Sequence, residues 1–192
     1  MTTPANVLAA GDLRRLLNHV YEHRNPTRDV AIVLLSFKAG LRAGEIAGLA
    51  WSMVLQPNGR LADSLQIAGR IAKNGHGRCI PLHDQLLSTL SDLHAEYGKP
   101  FDGPVIRSER GAHMTPRSIV NWFAQAYAEL GMSGCSSHSG RRTFITRSAR
   151  LLARSGGSLR DIQELAGHRS LTTTERYIAG NRDAQRKLMK LI

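Results

Sequence analysis

The stretch NPTRDVAIVLLSFKAG, residues 25–40, constrains the fold more than any other part of the chain. Asn25 and Pro26 read as the N-cap and first position of a helix, and Gly40 as its stop. Between them, apolar residues run almost without interruption from Val30 to Phe37 and leave no polar stripe for water. A helix of that kind must be covered on most sides, so the remaining segments have to supply its partners.

Those partners are mostly helical. From Asp12, the residues Leu13, Leu16, Leu17, Val20 and Tyr21 recur at the spacing of one helix face. After the turn AGLRAG, a short helix runs through Glu45, Ile46 and Leu49, which puts Arg42 at a corner between two helices. HDQLLSTLSDLHAEY reads as a further helix, and Thr115 with Pro116 opens another that passes Trp122 and Phe123 to Gly131. Ser136 or Ser137 caps a helix from His138 to Leu152, Ser158 caps one that stops at Gly167, and Ser170 or Thr172 opens one that leads to Tyr177. RDAQRKLMKLI reads as a short basic amphipathic helix.

One region differs. In SLQIAGRIAKNGHGRCIPL, β-favouring residues flank KNGHG, whose Asn-Gly and second glycine suit the positive φ of a hairpin turn. PVIRS is a further short-strand candidate. With no repeat and no linker, residues 1–192 are expected to form a single domain, mainly α with a small antiparallel β-hairpin (α+β).

Lysine and arginine total 26 against 15 acidic residues, a formal charge of +11 spread along the chain, so the expected partner is a polyanion. No run approaches the roughly 18 apolar residues of a membrane span, and no signal pattern opens the chain, so a cytoplasmic location is expected. Cys79 and Cys135 lack metal or redox spacing and read as packing residues. No His/Cys set or carboxylate cluster offers good ligation, so neither a metal nor another cofactor is expected.

Several residues have chemistry to offer, each with an ordinary alternative. His138 and Arg141 share one face at a helix start, where the positive helix end makes an anion site, yet the arginines from Arg141 to Arg154 also read as a solvated basic face. Taken singly, Arg42 reads as an ion-pair partner of Glu45, Lys73 as a turn lysine, His168 as a capping or core histidine and Tyr177 as packing. Their order changes that reading: Arg42 in AGLRAGEIAGL, Lys73 before RCIPL, HSGRRTF, LAGH, then TTTERY.

In these motifs the chain resembles the tyrosine recombinase (phage integrase) family, over its catalytic domain from about Asp12 onward. The resemblance implies that Arg42 and Arg141 hold the scissile phosphate, His138 is the H-x-x-R histidine, Lys73 the hairpin lysine, His168 the later histidine and Tyr177 the nucleophile. Glu45 falls at the acidic position beside the first arginine. Two guanidinium forks suit the two non-bridging oxygens, on which charge grows during phosphodiester transfer. On this reading His138 helps deprotonate the tyrosine, His168 hydrogen-bonds the phosphate, and Lys73 protonates the departing 5′ oxygen.

Three positions depart from the family pattern: Gly140 where a leucine is usual, Arg142 for a second histidine, and Ala179 at a position often polar. Gly140 is expected to loosen its helix. Arg42 comes so early that no separate N-terminal DNA-clamping domain is expected, as in the small members that invert promoter segments. The family implies double-stranded DNA as partner and a homotetramer on it, alone or with other recombinases or accessory proteins, with AQRKLMKLI docking on a neighbour or on its own core. A type IB-like topoisomerase and a DNA-binding regulator without chemistry stand as alternatives.

Overall fold

The structure is a computed structural model, and it describes residues 5–73, 75–177 and 189. Its centre is the apolar helix. Residues 29–37 of α2 (Pro26–Lys38) are all buried. Around it pack α1 (Ala10–Tyr21), α4 (Asp84–Glu96) and α6 (Ser139–Ser155), while α3 (Ala43–Gly48) links it to α5 (Pro116–Glu129).

Helix ends fall where the local chemistry asks. Pro26 opens α2, and Thr115 Oγ1 accepts the Ser118 N–H at the start of α5. Gly40, at φ +64°, turns the chain out of α2 so tightly that a Cβ there would lie 2.4 Å from the Phe144 ring. On α1, Leu13, Leu16 and Val20 are buried as their spacing implies, whereas Tyr21 ends the helix 56% exposed.

The sheet is smaller than the sequence pattern suggests. β1 (Ser64–Ile67) and β2 (Arg78–Pro81) pair antiparallel, with Ile67 opposite Arg78. Their connection, residues 68–77, is longer than a two-residue hairpin, although Gly75 takes the positive φ (+71°) that the pattern asks for and its N–H returns to the Ala72 carbonyl at 3.0 Å. A 3₁₀ turn at Gly69–Ile71 folds it back, and a Cβ on Gly69 would meet the Gly75 carbonyl at 2.4 Å. PVIRS forms no strand: it makes isolated bridges at Pro104 and Arg107, while Val105 and Ile106 are buried.

Past α6 lie α7 (Leu159–Ala166) and α8 (Leu171–Glu175). They bury a second, small apolar cluster of Ile145, Ile162 and Ala166, against which Phe144 and Tyr177 pack. The basic segment after Asp183, expected to dock as a helix, lies outside the described residues apart from exposed Met189. Ala179 also lies outside them. Cys135 packs partly on the core as expected, but Cys79 is exposed, with Gln66 Nε2 donating to its sulfur.

Gly140 does not loosen α6. It is buried against α2, and a Cβ there would sit 2.1 Å from Ser36 Oγ and 2.8 Å from the Phe37 ring. The bulk that a leucine would supply from α6 comes instead from Phe37. Gly140→Ala gains at most about 1 kcal/mol of helix propensity near a helix start, against an overpacking cost of about 1–3 kcal/mol. A thermal melt of Gly140→Ala should therefore show a Tm several degrees below wild type; an unchanged or higher Tm would mean that the α2–α6 contact has room to spare.

Candidate active site

The candidate groups gather where the main core meets the second cluster. A cleft of about 440 Å³ is lined by Arg42 from the start of α3, Lys73, Arg78 and Cys79 from the hairpin, and Gln163 and His168 from the α7 end. Among the described groups, its further charges are Arg160, which pairs with Glu164 on the same helix at 2.9 Å, and Arg169.

Glu45 anchors this region. Its carboxylate is 1% exposed and takes both arms of Arg78, at 2.7 and 2.9 Å. It also accepts the backbone N–H of Arg42 at 2.9 Å and, more loosely, Arg42 Nη1 at 3.3 Å. Burial alone would raise this carboxyl; the Arg78 fork and charge, then the Arg42 N–H and charge, outweigh it and hold it below the ordinary value. Arg42 is thus only lightly engaged, with 21% of its side chain open to the cleft.

Sequence reading gave Glu45 to Arg42 and passed over Arg78. The signal was present: in β2, Arg78 alternates with the buried Ile80 and so points inward. Its Nε donates to the Leu165 carbonyl at 2.9 Å, which ties the hairpin to the end of α7.

Arg141 is a buried cation, 4% exposed, and no part of a solvated face. Nη1 donates to the Gly40 carbonyl just past α2, and Nη2 to the Ala166 carbonyl at the end of α7. Both acceptors lie at helix C-terminal ends, where the backbone dipoles favour positive charge. Burial and the Arg42 cation lower its pKa to about 9, with Glu45 and the Tyr177 phenol pulling the other way, so it stays charged at neutral pH.

His168 follows from the way α7 stops. Gly167, at φ +62°, reverses the chain, and the His168 N–H returns to the Gln163 carbonyl at 3.0 Å. The imidazole is buried, its Nδ1 3.0 Å from Thr174 Oγ1. Burial, then Arg141, Arg42 and Arg78, push its pKa down to about 4, which leaves it neutral. Thr174 is the last of the threonine run, and only its buried contact marks it as the residue that orients this ring.

Ser170 caps α8 and Tyr177 comes just after it, where its ring stacks on His168 with centroids 5.7 Å apart and planes 19° from parallel. His138 sits exposed at the start of α6, with its pKa lowered first by desolvation and then by Arg141, Arg42 and Lys73. The six groups therefore share one electrostatic neighbourhood, but the histidine against the tyrosine is His168, not His138.

The phage integrase family model matches residues 6–183. The chain belongs to that family. It is 34% identical over 153 residues to a tyrosine recombinase XerC of Bradyrhizobium diazoefficiens, covering 78% of this chain and 45% of the relative. It is 32% identical over 180 residues to the XerC of Nitrobacter winogradskyi, covering 91% and 53%. The chain thus spans about half the length of the curated relatives it matches. A crystal structure of XerA recombinase superposes with a TM-score of 0.72 at 22% identity, over all of this chain and 64% of the other. The Tn1549 transposon integrase in complex with transposon right end DNA gives 0.77 at 19% identity, over 100% and 67%. These likenesses show that the mainly helical fold with its small antiparallel sheet is that of tyrosine recombinases.

Acid stability of this integrase-family fold should fall in two windows. His168 and, less deeply, His138 refuse a proton that the unfolded chain accepts near pH 6.5, so stability drops from about pH 6.5 toward 4. Glu45 has a depressed folded value, so its contribution is complete above about pH 4.3 and is lost as pH falls through the lower folded value. Denaturant melts across pH should show His168→Gln flattening the first window and Glu45→Gln the second. Slopes that match wild type in both variants would contradict these environments.

Proposed function

We propose that this phage integrase family member is a site-specific DNA recombinase that cuts and rejoins DNA through a covalent phosphotyrosine. The observation that carries the reading is that Arg42 and His168 line one cleft, buried Arg141 lies within electrostatic reach of both and of Tyr177, and Tyr177 stacks on His168. Arg141 is fixed by two carbonyls and still has N–H groups to spare; Arg42 is nearly free. Two such forks suit the non-bridging oxygens of a phosphodiester, and they strengthen as charge develops there.

In the proposed step the Tyr177 oxygen attacks phosphorus, the bond to the 5′ oxygen breaks, and a 3′-phosphotyrosine and a 5′-hydroxyl result. Lys73, exposed on the cleft-side loop, gives the departing oxygen its proton. Neutral His168 hydrogen-bonds the phosphate, and the tyrosine proton leaves by way of His138 or a water in its place. A 5′-hydroxyl from a second duplex reverses the sequence and reseals the strand. The fixed cations supply the charge that a metal supplies in many nucleases, so no metal is part of the step.

The relatives are named recombinases, which weighs toward strand exchange over simple relaxation of supercoils, and the full set of reactive groups weighs against a regulator without chemistry. We further propose that residues 1–192 act as one catalytic unit on double-stranded DNA, as a homotetramer with or without partner recombinases, at the bacterial nucleoid. Among the described residues no helix is long and apolar enough to cross a membrane.

The test is a nicked, 3′-labelled suicide duplex taken from the sequence flanking the gene, incubated in EDTA. A denaturation-resistant adduct should form with wild type and vanish in Tyr177→Phe. Arg141→Lys, which keeps the charge but loses the fork, should cut the rate by about 100-fold or more, as loss of one oxyanion donor does. Tight binding without an adduct would overturn cleavage by this chain and leave the regulator.

A further inference from the structure

A second cleft, of about 550 Å³, opens between the C-terminal ends of α1 and α5 and shares no lining residue with the first. Here His19, in the last turn of α1, His23, just beyond it, and Glu129, the last residue of α5, turn toward one another. One ligand atom from each lies within 4.8 Å of the other two. From these three side chains we infer a binding site for a single Zn²⁺ ion, outside the candidate active site.

The geometry is that of a site held ready on its rigid side. His23 Nδ1 lies 2.7 Å from Asp29 Oδ2, and Asp29 is 2% exposed with its other oxygen taken by Arg28 Nε at 2.8 Å. A carboxylate can only accept, so this contact puts the proton on Nδ1 and leaves the lone pair of the neutral ring on Nε2. A carboxylate behind a histidine in this way is the support that metal-bound imidazoles take. The Trp122 ring stands edge-on to His23 and limits its rotation.

The other two ligands already meet. His19 Nε2 donates to Glu129 Oε2 at 2.8 Å, a proton that zinc has to displace from this nitrogen, and Gln125 Nε2 holds the second carboxylate oxygen at 2.9 Å. With bonds of about 2.0–2.1 Å, a tetrahedral zinc sets its ligand atoms about 3.3 Å apart. The widest separation then has to close by about 1.5 Å, within reach of the Glu129 side chain, which is 41% exposed. Two imidazoles and a carboxylate match zinc's preferred donors and leave a fourth position for water. Charge is also suitable: Arg28 is spent on Asp29 and Arg24 pairs with Glu109 at 3.7 Å, so the dication meets Glu129 with Glu22 nearby. The ligands span the α1 end and the α5 end, so the ion would staple these helices together.

In sequence, His19 and His23 stand four apart, while the third ligand lies more than a hundred residues away. That distance is why the chain reads as free of metal ligands.

The experiment is calorimetric titration of the full chain, stripped with EDTA and dialysed, with zinc chloride, alongside Co²⁺ absorption and thermal melts. Wild type should bind one Zn²⁺, develop visible Co²⁺ bands, and gain about 5 °C or more in Tm at a hundredfold excess over Kd. His19→Ala, His23→Ala and Glu129→Gln should each weaken binding by more than the 10- to 100-fold or so that loss of a supporting partner costs. Glu129→Gln keeps the shape and a hydrogen bond to His19, so its loss of binding would not reflect misfolding. Absence of stoichiometric binding, or binding undiminished in the three variants, overturns the site.

Discussion

The buried carboxylate of Glu45 is the constraint on which the cleft depends. Three separate elements reach it: the first turn of α3 through the Arg42 N–H, β2 through the Arg78 fork, and α7 through the bond from Arg78 to the Leu165 carbonyl. Removing one partner of such a pair leaves an uncompensated buried charge, a loss of about 3–5 kcal/mol. The hairpin is therefore held to the helices by a charge network as much as by apolar packing. Residues 73 and 75–77 remain exposed, which lets Lys73 stand over the cleft on a short tether.

The same economy governs Arg141. A desolvated guanidinium is costly unless its N–H groups are met, and here two helix ends meet them with carbonyls that have no partner within their own helices. α2 and α7 must each stop at the right residue, which is what Gly40 and Gly167 ensure with their positive φ. Gly167 then delivers His168, and a Cβ on it would press Arg78 at 3.1 Å, so one residue type serves turn, ion pair and histidine together. These donors are fixed by the fold itself, and in the proposed reaction fixed donors would cost no reorganisation when charge develops.

How much of this can be read from the chain follows from the range of each interaction. α2 is legible because its cap, its proline, its apolar run and its stop all lie within sixteen residues. The motif order likewise marks Arg42, Lys73, His138, Arg141, His168 and Tyr177. The hairpin is legible in part: Gly75 takes the positive φ that its Asn-Gly setting suggests, but the close approach of Gly69 to the Gly75 carbonyl has no local signature. Arg78 looks like any strand arginine until Glu45 is brought to it, and Gly140 looks like a weak spot until Phe37 fills the space. His168, and not His138, meets Tyr177 because α8 folds back onto the α7 stop, a matter of packing among Ile145, Ile162 and Ala166.

The charge balance of the cleft carries its own implication. Arg42, Arg78, Arg141 and Lys73 converge on a region whose central carboxylate is Glu45, and Glu164 is already matched by Arg160. Burial first, and then these cations, push both His168 and His138 toward the neutral form, so neither adds to the positive charge. What remains cannot be shed, because guanidinium groups stay protonated at neutral pH. On the proposed function, a bound phosphodiester would relieve that repulsion, and the extra charge of a pentavalent transition state would relieve more of it. The proposed site would then favour the species whose formation it accelerates, which is the physical content of transition-state complementarity.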